Sequence, residues 1–93
     1  MAYFNFESRI ANLQQAIERA YKEKQSVVMK RSKIMGLSGT APNSHDGYVE
    51  RLVQLGILEL FDKRGSGMEI YTIHLNVLRE YKPRGIAPPQ GIS

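Results

Sequence analysis

Apolar residues near the start of the chain recur with the period of an α-helix. Between residues 7 and 24 no proline or glycine interrupts the chain, and polar residues occupy the remaining positions. The apolar positions, spaced mostly by three or four residues, are Ile10, Leu13, Ile17, Ala20 and Tyr21. This spacing aligns them on one helix face. The pattern predicts an amphipathic first helix over residues 7–24.

Two shorter helices are predicted in the middle of the chain. Residues 25–30 are too short and too β-branched for a helix, which indicates a tight connection or a short strand. A second helix is predicted over residues 32–39, where Gly39 supplies the positive φ of a helix end.

The third helix is predicted to begin near Pro42, capped by Thr40 or Asn43, and to end at Gly56. Its inward-facing residues are predicted to be Val49, Leu52 and Val53.

After Gly56 the apolar period changes from 3.6 to 2, which predicts a β-hairpin. A two-residue type II′ turn at Gly65 and Ser66 fits the glycine at its first position. This turn sets the predicted register, in which the following residues face each other: Leu58 and Ile73, Leu60 and Tyr71, Asp62 and Glu69, Lys63 and Met68, Arg64 and Gly67. A final helix over residues 77–82 is predicted to be capped by Asn76 and stopped by Pro83.

The 93 residues suit one domain. We expect this domain over residues 1–82, with an aromatic arm at 1–6 and an extended or mobile tail at 83–93. The chain has no cysteine, which excludes disulfides and the usual zinc ribbons. It has no apolar run of membrane-spanning length and no secretory signal pattern. We therefore expect a cytoplasmic protein.

Positive charge is concentrated in one segment. The net charge is +4, and residues 22–33 hold five basic residues against one acidic residue, Glu23. The rest of the chain is balanced. A local basic stretch on a neutral domain is typical of a protein that binds a polyanion.

The order of helix, extended link, helix, turn, helix and hairpin resembles the winged helix-turn-helix family of DNA-binding domains. Residues 32–76 carry the resemblance, and its sharpest parts are Val49–Phe61, Arg64–Gly67 and Tyr71–Asn76. Pro42 stands where that family often begins its third helix. The plan is similar to that of compact MarR-, ArsR- or PadR-like regulators. The resemblance implies an α+β fold with a three-helix core, a C-terminal hairpin wing and a short final helix.

The resemblance also implies a surface for double-stranded DNA, with helix three in the major groove and the wing on the adjacent minor groove or backbone. The implied contact residues are Lys30, Arg31, Lys33, Asn43, Ser44, His45, Tyr48, Arg51, Lys63 and Arg64. No arginine stands in the first turns of helix three, where one would read guanine. Base readout then comes from Asn43, Ser44 or His45, or it is weak. Asp46 repels phosphate unless it is paired or accepts a hydrogen bond from a cytosine amine.

Catalytic and cofactor roles are not expected. Ser44, His45 and Asp46 are consecutive, and consecutive side chains rarely converge as a catalytic triad. The Arg64–Gly67 run lacks the Lys-Ser/Thr ending of a phosphate-binding loop. His45 and His74 have no cysteine or carboxylate at metal-ligand spacing. The sequence therefore predicts a protein that is not an enzyme and has no cofactor or metal.

Two functions follow from the sequence. The first is a DNA-binding transcriptional regulator. It is expected to form a homodimer through helix one and the N-terminal arm, because the apolar face of helix one is longer than a monomer needs. The second is a protein-interaction winged helix, serving as a subunit of a transcription, replication or segregation complex. The charge near helix two and the wing favours the first, whereas the acidic, small residues of helix three favour the second.

Overall fold

The computed structural model describes residues 5–66 and 68–84. Within them the elements are α1 Phe6–Tyr21, β1 Ser26–Lys30, α2 Arg31–Leu37, α3 Tyr48–Gln54, β2 Leu58–Lys63, β3 Glu69–His74 and α4 Leu75–Glu80. The strands form one antiparallel sheet in the order β1-β3-β2. The predicted α+β class is confirmed, and the arrangement is compatible with a winged-helix-like architecture.

The first helix lies close to its predicted position. It begins at Phe6 because Asn5 caps it, with Asn5 Oδ1 accepting a hydrogen bond from Ser8 N at 3.1 Å. Phe6 is the first residue of α1 and is buried in the core, so the predicted arm does not extend to it. Residues 1–4, the rest of that arm, lie outside the described residues.

The apolar face of α1 is buried within a single chain. Its residues Phe6, Ile10, Leu13 and Ile17 each expose 3% or less of their surface. Helices α2 and α4 pack against α1, and Leu75 and Leu78 of α4 join the same core. The expected dimer assumed an apolar face larger than one chain needs. The chain itself buries Ile10, Leu13 and Ile17 of the predicted face and leaves Ala20 exposed and Tyr21 half-buried at its end, so the structure does not support that assumption.

The segment after α1 is a strand rather than a tight connection. In the register of β1 with β3, Val27 faces Ile73 and Met29 faces Tyr71. Met29, Tyr71 and Ile73 are buried. The sheet therefore presents this face to the helices and leaves Val28, on the other face, 53% exposed.

The third helix starts later than predicted. Gly47, with φ +93°, precedes it, and neither Thr40 nor Asn43 caps it. Because a positive φ does not continue a right-handed helix, α3 cannot extend back through Gly47. Residues 40–47 form a loop instead. Gly39 ends α2 with φ +79°, as predicted.

The inward side of α3 is narrower than predicted. Val49 and Leu52 are buried, but Val53 is 41% exposed, so its predicted core position is wrong.

The hairpin register is confirmed near its base and wrong near its tip. Leu58 faces Ile73 and Leu60 faces Tyr71, as predicted, although Leu60 itself is 51% exposed. A bulge at Phe61 then shifts the pairing by one residue. Beyond the bulge the observed pairs are Asp62 with Ile70 and Lys63 with Glu69.

The bulge also lengthens the loop. Arg64 N donates to Met68 O at 3.2 Å, and Met68 N donates to Gly65 O at 3.0 Å. The predicted two-residue turn at Gly65 and Ser66 is therefore wrong. The inserted residue shifts the paired positions, and a longer connection closes the hairpin.

The last helix begins directly after β3. Asn76 lies inside α4 rather than capping it, and the helix ends at Glu80, before the predicted stop at Pro83. Arg79 of α4 donates to three backbone carbonyls at the end of α1 and just beyond it: Tyr21 O, Lys22 O and Lys24 O, at 2.9–3.0 Å. These hydrogen bonds give partners to carbonyl groups that have no partner within a helix, as at any helix C-terminus. Of the predicted tail, residues 85–93 lie outside the described residues.

One polar pair lies inside the core. The Ser38 hydroxyl donates to Ile34 O at 2.8 Å, and the Tyr48 hydroxyl lies 2.6 Å from Ser38 Oγ. Because the serine proton is already donated, Tyr48 is the donor to Ser38. The pair joins the end of α2 to the start of α3.

Candidate nucleic-acid interface

Four of the predicted basic residues lie on the surface near one end of the sheet. Lys30 ends β1 and Lys63 ends β2, and their partners in β3 are the adjacent residues Ile70 and Glu69. The other two exposed residues of this set are Lys33, in α2, and Arg64, in the hairpin loop. We call Lys30, Lys33, Lys63 and Arg64 the basic surface.

A cleft of about 260 Å³ lies inside this region. It lies between the start of α2 and the tip of the hairpin, and its lining residues are Lys30, Arg31, Ser32, Arg64, Met68, Glu69 and Ile70. Lys30 and Arg64 are therefore neighbours around one cavity, although they are far apart in sequence. Arg64 Nε also donates to Asp62 Oδ2 at 3.1 Å, with the Arg64 side chain 67% exposed.

Arg31 has a structural role that the sequence did not predict. It exposes only 6% of its surface. Its Nη1 donates to Pro42 O at 3.1 Å and its Nη2 donates to Ser44 O at 2.7 Å. The guanidinium holds the loop between α2 and α3 in place, so the prediction of Arg31 as an exposed DNA contact is wrong.

Tyr48, which was also predicted to contact DNA, does not lie on the surface. It is 1% exposed, and its ring packs on Phe6 with centroids 5.6 Å apart. Burial raises the pKa of Tyr48 to about 12, against the opposing hydrogen bond of Ser38 and charge of Arg9. The side chain belongs to the core because α3 starts at Tyr48 and turns it inward.

Asn43, Ser44 and His45 lie in the loop before α3, not on the helix as predicted. Asn43 and His45 are exposed, and Ser44 is half-buried with its carbonyl accepting from Arg31. Ser44 N donates to Ala41 O at 3.1 Å, which forms a turn in this loop. These residues remain near the surface, but no helix presents them to a groove.

Asp46 is paired. Its Oδ2 accepts a hydrogen bond from Arg9 Nη1 at 2.7 Å, across from α1. Partial burial alone raises the pKa of the Asp46 carboxyl. The hydrogen bond and charge of Arg9, with the backbone N–H of Tyr48, outweigh that effect and hold the pKa below its ordinary value. Arg9 therefore compensates the negative charge in front of α3.

The exposed side of α3 carries no net charge. Its exposed residues are Glu50, Arg51, Val53 and Gln54. The Arg51 guanidinium carbon lies 4.2 Å from the centre of the Phe6 ring, so this cation covers an aromatic face of α1. The exposed side of α3 thus offers one basic and one acidic side chain, Arg51 and Glu50, to a partner.

Sequence reasoning missed Glu69 and Ser32 in the cleft. The predicted hairpin register placed Glu69 opposite Asp62, whereas the bulge at Phe61 places it opposite Lys63. Predicting that Glu69 faces Lys63 requires knowing where the bulge lies. The sequence does not show this position, because an alternating apolar pattern carries no signal for a single inserted residue.

The described part of the chain holds no group of three or more histidine or acidic residues that could bind a metal ion. His74 Nε2 lies 2.9 Å from Glu59 Oε1 on the exposed face of the sheet. Among residues 5–66 and 68–84, no helix is long and apolar enough to cross a membrane.

The sequence matches no protein-family model, and comparisons with curated proteins and with solved structures find no significant match.

Proposed function

We propose that the chain is a winged-helix protein that binds double-stranded DNA mainly through phosphate contacts of its basic surface. The observation that carries the proposal is the shared cleft that brings Lys30 of β1 and Arg64 of the hairpin together. Lys33, in the first turn of α2, and Lys63, directly before Arg64, add further positive charge near this pair. Exposed lysine and arginine side chains bind phosphates without reading sequence.

Helix three supplies little base readout in this proposal. Its exposed residues are neutral overall, and Asn43 and His45 contact DNA only from the loop before it. Binding is therefore expected to depend strongly on salt and weakly on sequence. A dimer through α1 is not part of the proposal, because that face is buried.

The experiment is a titration of a fluorescent DNA duplex at several salt concentrations. Each of Lys30→Ala, Lys33→Ala, Lys63→Ala and Arg64→Ala should reduce the slope of log affinity against log salt by about 0.9 for each lost contact. All sequences should be weakened alike.

Lys24→Ala is the matched control. Lys24 is an exposed lysine just before β1, and the five residues of β1 place Lys30 at the opposite end of the sheet, about 13 Å further on. Its substitution should leave the slope unchanged. If the combined fourfold variant keeps the wild-type affinity and slope, the proposed DNA surface is wrong.

A protein-interaction role is the second candidate. The hairpin exposes three large apolar side chains, Leu60 at 51%, Phe61 at 63% and Met68 at 60%. All three belong to the same hairpin, and a large exposed apolar area is typical of protein interfaces. Under this alternative the wild-type chain shows no salt-dependent DNA binding in the same titration.

A further inference from the structure

The end of the hairpin carries an exposed apolar side chain among the cations of the basic surface. Met68 is 60% exposed, and it lines the same cleft as Lys30 and Arg64. Its backbone is held there by two hydrogen bonds, since Arg64 N donates to Met68 O at 3.2 Å and Met68 N donates to Gly65 O at 3.0 Å. Met68 therefore has a fixed place beside the cations on which the proposed DNA binding depends.

The charges around Met68 restrict what can cover it. A protein surface that buried this side chain would also take the neighbouring cations out of water, which is unfavourable unless an acidic group lies opposite each of them. A DNA groove meets both conditions, because phosphates line its rims and apolar base faces become accessible between them when a base step opens. Charge complementarity thus favours DNA over a protein partner at this end of the hairpin.

The side chain itself suits insertion between bases. Methionine is unbranched, flexible and polarisable, so it adapts to a narrow apolar space. Proteins that bend DNA from the minor groove combine lysine or arginine contacts with an inserted apolar side chain, and methionine is one of those used. Met68 beside Arg64 has this combination of chemical groups.

We propose that Met68 inserts between two stacked base pairs from the minor groove and bends the duplex, while Lys30, Lys63 and Arg64 contact the flanking phosphates. The inference rests on the proposed DNA binding and deepens it, since phosphate contacts alone require no insertion. Inserted side chains partly unstack a base step and bend the duplex by about 20–90°. Steps of the TA type open most easily.

The test is a fluorescence titration of a short duplex that carries 2-aminopurine, an adenine analogue, at its TA steps. Stacking quenches this fluorophore, so its emission rises when a neighbouring step opens. With the wild-type chain at saturation the emission is expected to rise. Energy transfer between dyes at the two duplex ends should also increase, as a bend of at least about 20° requires.

Three variants identify the inserted side chain. Met68→Ala should lose most of both signals and keep the wild-type salt slope, since it removes no charge. Met68→Leu preserves the volume and the apolar character of the side chain, so it should keep both signals. Phe61→Ala is the matched control, because Phe61 is similarly exposed on the same hairpin but does not line the cleft. It should also keep both signals.

The outcomes separate this inference from the proposed function. Salt-dependent binding without a rise in 2-aminopurine emission would overturn the insertion and leave the proposed function standing. The insertion is also wrong if Met68→Ala keeps the wild-type emission, or if Phe61→Ala loses as much of it as Met68→Ala does. Absence of salt-dependent binding by the wild-type chain would overturn both.

Discussion

The Arg31 guanidinium bridges two carbonyls of the loop that separates α2 from α3. Its donors reach Pro42 O and Ser44 O at 3.1 and 2.7 Å, and the side chain is almost fully buried. An arginine fork can hold two acceptors at fixed positions, which a single ammonium group cannot do in the same way. The residue therefore fixes backbone geometry rather than contacting a partner.

Replacing this side chain should destabilise the fold. Arg31→Met removes two charge-assisted hydrogen bonds, and we expect the free energy of unfolding to fall by about 2–3 kcal/mol. Lys33→Met, in the same helix and with the same charge change but exposed, should change it by less than about 0.5 kcal/mol. Urea denaturation followed by circular dichroism measures both. Equal, small effects from the two variants would contradict the structural role of Arg31.

Two glycines in and after α2 differ in conformation. Gly36 lies inside the helix, and a Cβ added there meets no described atom within 4 Å. Gly39 has φ +79°, and a Cβ there would lie 2.9 Å from Asn12 Nδ2. Asn12 Nδ2 in turn donates to Ser38 O at 3.2 Å. Gly36 lowers the helix propensity of α2, whereas Gly39 terminates the helix.

Alanine at these two positions should have opposite effects on stability. Gly36→Ala should raise the free energy of unfolding by about 0.5–1 kcal/mol, because alanine favours a helix interior. Gly39→Ala should lower it by about 1–2 kcal/mol, because the left-handed conformation strains a side chain. Thermal melting of the two variants tests this, each serving as control for the other. A shift of both melting temperatures in the same direction would show that the end of α2 is misplaced.

At the scale of the whole molecule, the stability in alkali depends on a buried tyrosine. Tyr48 joins α2 and α3 through Ser38, and burial raises its pKa from 10.0 to about 12. The folded chain keeps this proton at pH values where the unfolded chain has lost it. Stability is therefore fully present below pH 10 and falls as pH rises from about 10 towards 12.

Tyr48→Phe should make this alkaline loss shallower. At pH 7 the variant should lose about 1 kcal/mol, because the hydrogen bond to Ser38 is gone. Between pH 9 and 11 its free energy of unfolding should decline less steeply than that of the wild type. The comparison isolates Tyr48 because burial also raises the pKa of Tyr71 and Tyr81, and both remain in the variant. Parallel curves for the two chains would contradict the burial of an uncharged Tyr48 hydroxyl.

Periodicity in the sequence determined α1 and the hairpin strands β2 and β3. The apolar spacing of Ile10, Leu13 and Ile17 predicted α1, and the alternation around Leu58 and Tyr71 predicted the hairpin and its inner register. Such patterns are local, since each depends on residues within one turn or one strand pair. Charge clustering likewise identified Lys30 and Lys33 as exposed cations, because charged side chains rarely enter a core.

Only the tertiary structure decided which polar residues stabilise the fold through buried contacts. The sequence does not distinguish the exposed Lys30 from the buried Arg31, because the carbonyls that Arg31 bonds lie beyond its own helix. The Phe61 bulge, which places Glu69 opposite Lys63, depends on how the strand fits the sheet. Burial of the α1 face by α2 and α4 removed the basis for the expected dimer. Each of these outcomes depends on contacts between distant parts of the chain, which no local pattern records.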